Sequence, residues 1–251
     1  MFRNKRIVVV MPAYNAAKTI IKTYEEVVEQ GIVDTVVIVD DSSNDETAQI
    51  LKTLSNESVK TIVYFHQKNL GYGANQKTCY RIALSEGADI VIMVHPDYQY
   101  TPKLIPAMVG MITSGLYPCV LGSRVLGGGA LKGGMPLWKY FINRWLTIME
   151  NFILGEYLSE YHTGYRAFSR EVLENISLAH NSDGFIFDNE MLVQVYWKGY
   201  TIGEVSCPTN YFPEASVISL WNSVKYGLGC FRVAFIYRLA KAKLIKSKLF
   251  N

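Results

Sequence analysis

Short apolar runs alternate with helical repeats along the first half of the chain. Each run is rich in β-branched residues and ends at a turn signal, after which apolar residues recur at the spacing of an amphipathic helix. Strands that are apolar throughout and separated by helices predict a mostly parallel, Rossmann-like sheet covered by helices on both faces, which is an α/β fold. The predicted strands cover residues 7–11, 36–39, 61–65, 89–94 and 119–121.

The second half of the chain is less regular. Apolar periodicity predicts helices over residues 138–154 and 187–197 and an amphipathic helical tail from residue 217. Short strands are predicted at 165–168 and 201–205, and the glycine-rich segment 122–134 is predicted to be a mobile loop. We therefore expect a catalytic domain over residues 1–215 and a basic, amphipathic, helical C-terminal extension over 216–251.

Polar loops follow four of the predicted strands. They read PAYN at 12–15, DDSSND at 40–45, NLGYG at 69–73 and HPDYQ at 95–99. The carboxyl ends of parallel strands meet at one edge of a sheet, where ligands gather, so these loops predict a cleft. Asp41 could accept hydrogen bonds from a nucleobase or ribose, whereas Ser43 and Glu46 have the spacing of a helix capping box. NLGYG could bring backbone N–H groups, Gly71 among them, to a phosphate, or could be a plain helix-entry turn.

The HPDYQ loop suggests a cation site. If the segment stays extended, His95, Asp97 and Gln99 project to the same side of the chain. One nitrogen and two oxygen ligands would suit a divalent ion. The alternative is a polar turn that Asp97 closes.

Composition limits the remaining classes of function. The chain has 251 residues, of which 49% are hydrophobic and 19% charged, so it can build a full core and is not disordered. A net charge of +3 is too weak to imply nucleic acid. The four cysteines lack zinc-site spacing and indicate a reducing compartment, and the N-terminal apolar run is too short for a secretory signal. No apolar stretch reaches the length of a membrane span. We expect a cytoplasmic protein.

Two basic segments suggest a membrane surface. Arg124, Lys132 and Lys139 flank glycine-rich backbone beside an apolar helix, where a phosphate headgroup with a lipid tail would fit; the alternative is a solvated loop. The stretch 226–248 mixes aromatic and basic side chains and is predicted to lie on an anionic membrane at its inner face. The alternative, a packing or oligomer helix, leaves homo-oligomer formation open.

Six motifs in order resemble the family 2 glycosyltransferases of the glycosyltransferase-A fold. The four polar loops are followed by GSR at 122–124 and TGYRAFSR at 163–170, and the resemblance covers roughly residues 5–210. Among these enzymes it is greatest to the polyprenyl-phosphate sugar transferases. It implies metal-assisted transfer of a sugar from a UDP- or GDP-linked donor.

The resemblance also implies roles for individual residues. His95, Asp97 and Gln99 occupy a metal motif that is usually Asp-x-Asp-x-Gln, so His95 replaces its first aspartate and would hold Mg²⁺ or Mn²⁺ together with Asp97. Another departure is Ala16, where the family usually has glutamate. The other residues that the resemblance implies are Pro12, Ala13, Tyr14 and Asp41 for the nucleotide, Arg124 for the acceptor, Arg166 for the diphosphate or acceptor phosphate, and Asp188 and Glu190 as acidic helix residues. Asn15 and Gly71, in the same loops, are further nucleotide-binding candidates, and Lys132 and Lys139 are acceptor-binding candidates because of their charge.

The expected reaction is inverting sugar transfer to a polyprenyl phosphate. Such an acceptor is ionised near neutral pH and needs no general base. A glycan hydroxyl is the alternative acceptor, and it would need a base, for which Asp188 or Glu190 is the candidate. A catalytically idle nucleotide-binding protein of the same fold is a further alternative. A Rossmann dehydrogenase is disfavoured because the loop after the first strand has no GxGxxG.

Overall fold

The computed structural model describes residues 1–211 and 220–250, in which strands and helices alternate along most of the chain. The strands are β1 Ile7–Ala13, β2 Thr35–Asp40, β3 Lys60–Phe65, β4 Ile90–Met93, β5 Cys119–Ser123, β6 Arg166–Ser169 and β7 Ile202–Ser206. The helices are α1 Ile20–Val28, α2 Thr47–Thr53, α3 Tyr72–Ser85, α4 Ile105–Thr113, α5 Gly129–Lys132, α6 Leu137–Leu154, α7 Arg170–Asn175, α8 Phe187–Trp197 and α9 Leu220–Lys241.

The seven strands make one mixed sheet in the order β3-β2-β1-β4-β6-β5-β7. Strand β6 runs antiparallel to β4 and β5, and every other pair is parallel. Because β6 is reversed, the segment before it reaches the same edge as the loops that follow β1, β2, β4 and β5. The predicted α/β fold is confirmed, and the motif at 163–170 joins the polar loops at that edge.

Helices cover both faces of the sheet, which explains why its central strands are apolar throughout. Val8 and Val10 of β1 face a core that includes residues of α3, α8 and α9. Ile7 and Val9 face the opposite core, which includes residues of α1 and α4. All four of these side chains are fully buried, so β1 is fixed from both sides and positions the loop that follows it.

The C-terminal helix α9 packs onto this domain. One of its faces, which includes Val233, Ala234, Tyr237 and Ala240, is part of the main core and contacts α6 and α8. Its other face is open to solvent, as shown by Leu228 at 65% exposure. The predicted boundary between residues 215 and 216 lies outside the described residues.

Two local predictions differ from the structure. The capping box is wrong, because Ser43 bonds Asp40 and the N–H of Thr47, the first residue of α2, is held by Asp45 at 3.0 Å. The glycine-rich segment 122–134 forms a 3₁₀ turn and α5. A Cβ at Gly133 would overlap the backbone of Thr209, so this glycine serves close packing of two chain segments.

Candidate active site

The loops after β1 and β2 are tied to each other. The N–H of Asn15 donates to Ser43 Oγ at 2.8 Å, and the N–H of Asn44 donates to Asn15 Oδ1 at 2.8 Å. Asn15 and Ser42 both have left-handed backbone, with φ of 50° and 60°, a conformation that costs energy outside glycine and is common at functional sites. Tyr14 is 45% exposed in the loop after β1. Pro12 and Ala13 end β1 and are buried.

Asp41 organises the loop that follows β3. Its Oδ1 accepts the N–H of Leu70 at 2.9 Å and its Oδ2 accepts the N–H of Gly71 at 3.0 Å. The same carboxylate lies 2.7 Å from Nδ1 of His66 and is 2% exposed. The Gly71 N–H therefore points at Asp41, as the helix-entry alternative expects. Nucleotide binding by Asp41 and Gly71 stays a prediction.

The HPDYQ loop bends immediately after β4. Asp97 Oδ1 accepts the N–H of Gln99 at 3.1 Å, and Tyr98 has a φ of 57°. The segment is thus a turn that Asp97 closes, and it does not stay extended. The second oxygen of Asp97 takes no part in that bond, while Gln99 is buried at 7% exposure. Cation binding by His95, Asp97 and Gln99 stays a prediction.

The His95 ring is held between Tyr72 and Gly164. Its plane lies 16° from that of Tyr72, with 5.6 Å between ring centroids, and its Nε2 is 3.1 Å from the Tyr72 hydroxyl oxygen. A Cβ at Gly164 would overlap the imidazole. The glycine of the 163–170 motif therefore makes room for the histidine of the HPDYQ loop.

Both acidic residues of α8 are engaged inside the domain. Asp188 accepts the Tyr72 hydroxyl at 2.7 Å and the Gln76 amide at 2.9 Å, one on each oxygen. Glu190 accepts the N–H of Ser182 at 2.6 Å, and burial raises the pKa of its carboxyl. They are 8% and 9% exposed, respectively.

Arg166 connects the segment before β6 to the start of α8. Its guanidinium is fully buried and donates to the carbonyl oxygens of Thr163 at 2.8 Å, Asp188 at 2.5 Å and Tyr161 at 3.1 Å. It also lies 3.6 Å from the Asp188 carboxylate. These contacts fix backbone around the His95 pocket. Contact of Arg166 with a phosphate stays a prediction.

Arg124 is paired with a buried carboxylate. It is 5% exposed, its guanidinium bonds Glu160, and its Nη1 donates to the Tyr211 hydroxyl at 2.9 Å. Burial acts to lower the pKa of Arg124, but the Glu160 carboxylate holds it well above its usual value. Lys139 lies over the Tyr211 ring at 5.6 Å, and its pKa is lowered by burial and by Arg124.

Lys132 stands at the other side of this basic region. It is exposed on α5 and lines a cavity of about 340 Å³ with glycine backbone and Thr209. Lys132 and Lys139 thus lie in more open positions than Arg124, whose charge is opposed by Glu160 at contact distance.

Several residues of the site had no signal in the sequence. Tyr72 and Gln76 lie one helical turn apart on α3 and meet Asp188 from far along the chain. His66 joins Asp41, and Glu160 joins Arg124, with no motif that marks either residue. Only the tertiary fold brings these partners together.

Comparison with known proteins gives the class. The family described as Glycosyl transferase family 2 matches residues 8–177. A dolichyl-phosphate relative, UDP-N-acetylglucosamine--dolichyl-phosphate N-acetylglucosaminyltransferase of Methanococcus voltae, is 30% identical over 83% of this chain and 87% of its own. Polyprenol monophosphomannose synthase of Mycolicibacterium smegmatis is 24% identical over 80% of this chain and 76% of its own.

Solved structures agree on the fold. Glucosyl-3-phosphoglycerate synthase from Mycobacterium tuberculosis, in complex with Mn²⁺, uridine diphosphate and glucosyl-3-phosphoglycerate, superposes with a TM-score of 0.66. It covers 97% of this chain and 82% of its own at 18% identity, which supports the fold alone. The sheet and its loop-lined edge are those of a glycosyltransferase of the glycosyltransferase-A fold. The chain belongs to glycosyltransferase family 2, which confirms the resemblance in its sequence.

Proposed function

We propose that this chain transfers a sugar from a nucleoside-diphosphate donor to a polyprenyl phosphate at a membrane surface, with the aid of a divalent cation. The names of the two relatives, one a dolichyl-phosphate enzyme and the other a polyprenol monophosphomannose synthase, support the acceptor. The donor would lie across PAYN, Asp41 and the HPDYQ turn, where the polar loops converge. Assaying UDP- and GDP-linked sugars side by side will identify the nucleotide of the donor.

The hydrogen bonds that both candidate bases already make favour a phosphate over a hydroxyl acceptor. Asp188 accepts a hydroxyl and an amide, Glu190 accepts a backbone N–H, and both residues are less than 10% exposed, so an acceptor hydroxyl would have little access to either carboxylate. A glycan hydroxyl needs such a base in the transition state. A phosphate monoester is ionised already, so it can attack the sugar without one.

The acceptor phosphate would bind between Lys132 and Lys139. Both are in more open positions than Arg124, whose charge Glu160 offsets. Lysine ammonium groups bind phosphate as point charges, and two of them on either side of glycine backbone can hold one headgroup. Arg124 would then act on the acceptor through Tyr211, to which it donates and above which Lys139 lies.

The lipid would follow an apolar stripe on α6. We use this name for five side chains at spacings of three and four residues, which therefore share one helix face. Together with the neighbouring Ile142, these side chains are 47 to 79% exposed, and such exposure is unusual for large apolar groups. The stripe starts beside Lys139. Its members are Trp138, Phe141, Trp145, Ile148 and Phe152.

A second open apolar face on α9 continues this surface. Leu228 and Phe235 are 65% and 57% exposed, and the Trp145 and Phe231 rings meet at 5.5 Å between the two helices. Among the residues that the structure describes, no helix is long and apolar enough to cross a membrane. We propose peripheral attachment at the inner, cytoplasmic face through α6 and α9, with nearby lysines and arginines facing anionic headgroups.

The donor set of the HPDYQ turn fits a cation. The carboxylate of Asp97 and the imidazole of His95 offer oxygen and nitrogen ligands, a mixture that suits Mn²⁺ better than the harder Mg²⁺. A bound cation would neutralise charge on the departing nucleoside diphosphate. Asp97 would bind it, His95 would complete the pair, and Gln99 would hold the turn in place.

The test compares two acceptors that differ only in the phosphate. The protein is incubated with a radiolabelled UDP- or GDP-sugar, Mn²⁺, and either a polyprenyl phosphate or the same polyprenol. We expect label in the lipid phase with the polyprenyl phosphate alone, and its loss in Asp97→Asn. Transfer to the polyprenol or to an oligosaccharide would establish a hydroxyl acceptor. Nucleotide binding without turnover of any acceptor would indicate the idle protein.

A further inference from the structure

Tyr72 bridges His95 and Asp188. Its hydroxyl oxygen lies 3.1 Å from His95 Nε2 and 2.7 Å from Asp188 Oδ2, so one hydroxyl group bonds two neighbours. The three residues come from the start of α3, the loop after β4 and the start of α8. This arrangement fixes which atom of each group carries a hydrogen, because a hydroxyl can donate only once.

The surroundings of Asp188 determine which neighbour receives the Tyr72 hydrogen. Its other oxygen accepts the Gln76 amide at 2.9 Å, and the Arg166 guanidinium lies 3.6 Å away, so this carboxyl is surrounded by donors and acts as an acceptor. A tyrosine hydroxyl is protonated at neutral pH, so Tyr72 has one hydrogen to donate. The Tyr72 hydrogen therefore points to Asp188.

The Tyr72 oxygen is then free only to accept a hydrogen bond from His95. His95 Nε2 must carry that hydrogen, because two lone pairs facing each other at 3.1 Å would repel. In a neutral imidazole with hydrogen on Nε2, the lone pair sits on Nδ1. Tight packing against Gly164 opposes a flip of the ring, so the two nitrogens keep their places.

We infer that Tyr72 and Asp188 are positioning residues that hold His95 in the tautomer whose Nδ1 can bind a divalent cation. This inference rests on the proposed function, which places a cation at His95 and Asp97. It goes further by assigning the ligand atom and two residues behind it. A carboxylate offers a lone pair on either oxygen, whereas an imidazole offers one only in the correct tautomer.

The hydrogen on His95 can be observed directly by NMR. The chain has four histidines, so two-bond ¹H–¹⁵N spectra of protein labelled with ¹⁵N-histidine will show few ring systems, and His95→Asn identifies the signal of interest. We expect the Nε2–H tautomer for His95 in the wild-type protein. Tyr72→Phe should give a mixture of tautomers, because the acceptor is gone.

Asp188→Asn should reverse the bridge. The Gln76 amide needs the asparagine oxygen, so the asparagine NH₂ would face Tyr72 and donate to its oxygen. The Tyr72 hydrogen would then turn to His95 Nε2, and the ring would carry its hydrogen on Nδ1. Tyr24→Phe is the matched control: it also removes the hydroxyl of a buried tyrosine, but that hydroxyl bonds Thr61 and takes no part in the bridge. It should leave the His95 tautomer unchanged.

Mn²⁺ binding, followed by electron paramagnetic resonance of the free ion, gives the second readout. Loss of a partner behind a metal ligand typically weakens affinity about 10- to 100-fold. We expect that range for Tyr72→Phe, a similar or larger loss for Asp188→Asn, and wild-type affinity for Tyr24→Phe. Circular dichroism and thermal melting of each variant will check that the protein is folded.

Three results would overturn the inference. The first is an Nδ1–H tautomer, or a mixture, in the wild-type protein. The second is a Tyr72→Phe variant that keeps both the wild-type tautomer and the wild-type Mn²⁺ affinity. The third is a wild-type protein with the Nε2–H tautomer that binds no Mn²⁺, which would remove the cation from the proposed function as well. Sugar transfer to polyprenyl phosphate is measured separately, so it can stand when the first two results are found.

Discussion

The apolar stripe on α6 should decide whether this protein stays on a membrane. The perturbation we choose is Phe141→Ser, Ile148→Ser and Phe152→Ser, singly and together. These side chains are 66%, 56% and 79% exposed in the structure, so they contribute little to the core and their loss should shift the melting temperature by only a few degrees. An effect on membrane binding can then be read without interference from unfolding.

The magnitude follows from the exposed fractions. Full burial of a phenylalanine or isoleucine side chain is worth about 1.5–3 kcal/mol. With roughly two thirds of each side chain free to enter the bilayer interface, each should contribute about 1–2 kcal/mol. Because 1.4 kcal/mol corresponds to a factor of ten, each single variant should lose about fivefold to thirtyfold in partitioning. The triple variant should lose at least about a hundredfold.

Co-sedimentation with vesicles that contain anionic lipid measures this partitioning. Leu116→Ser is the matched control, because Leu116 is 68% exposed but precedes β5 and so lies at the opposite edge of the sheet. Deleting the C-terminal helix would be a poorer test, since it removes Val233 and Tyr237 from the core. A triple variant that binds like the wild type would refute the role of the stripe.

Four further substitutions test buried charges and glycine packing in the fold. Arg124→Ala should lower the free energy of unfolding by about 3–5 kcal/mol in urea titrations, because it leaves a buried carboxylate unpaired; a change below 1 kcal/mol would contradict this. Gly133→Ala should lower the melting temperature, whereas Gly110→Ala, with open space in the interior of α4, should gain about 0.5–1 kcal/mol. Burial raises the pKa of Glu150 to about 8, so stability should fall as the pH rises towards 8, and Glu150→Gln should remove that slope. The window from pH 6.5 to 8 is cleanest, because His162, with a pKa lowered by burial to about 4, costs stability only on acidification below 6.5.

Local patterns in the sequence predict most of the fold. Helix α8 spans Phe187–Trp197 as predicted, because apolar periodicity and the turn after it are local signals. The order of motifs along the chain also identified the family. The capping-box prediction is wrong because the Ser43 hydroxyl donates to Asp40. The spacing of Ser43 and Glu46 does not reveal this competing hydrogen bond. The glycines of 122–134 predict a mobile loop, and mobility stays a prediction; the structure adds that Gly133 is needed for close packing against the backbone near Thr209, 76 residues later.

The candidate site was only partly predictable, since its charges are set by partners from elsewhere in the fold. A basic residue in a glycine-rich loop suggests a phosphate ligand, and Arg124 is such a residue. Its buried contact with Glu160 depends on tertiary packing between β5 and the segment before β6. Asp188 likewise has the position of a base but the bonding of a structural acceptor. In both cases the sequence identifies the residue, and the partner determines what it can do.

Because of these pairings, we do not expect Arg124 to bind the acceptor phosphate directly or the acids of α8 to act as bases. A buried arginine that faces a carboxylate at contact distance offers an incoming phosphate little net charge, and separating the two would cost several kcal/mol. Lys132 and Lys139 do not carry that cost. An acceptor that brings its own negative charge meets these lysines first and needs no proton removed. Because the two acids of α8 are buried and hydrogen-bonded, the described residues suit the proposed lipid phosphate, which needs no base, better than a glycan hydroxyl, and the lipid tail would lie along the stripe that begins beside Lys139.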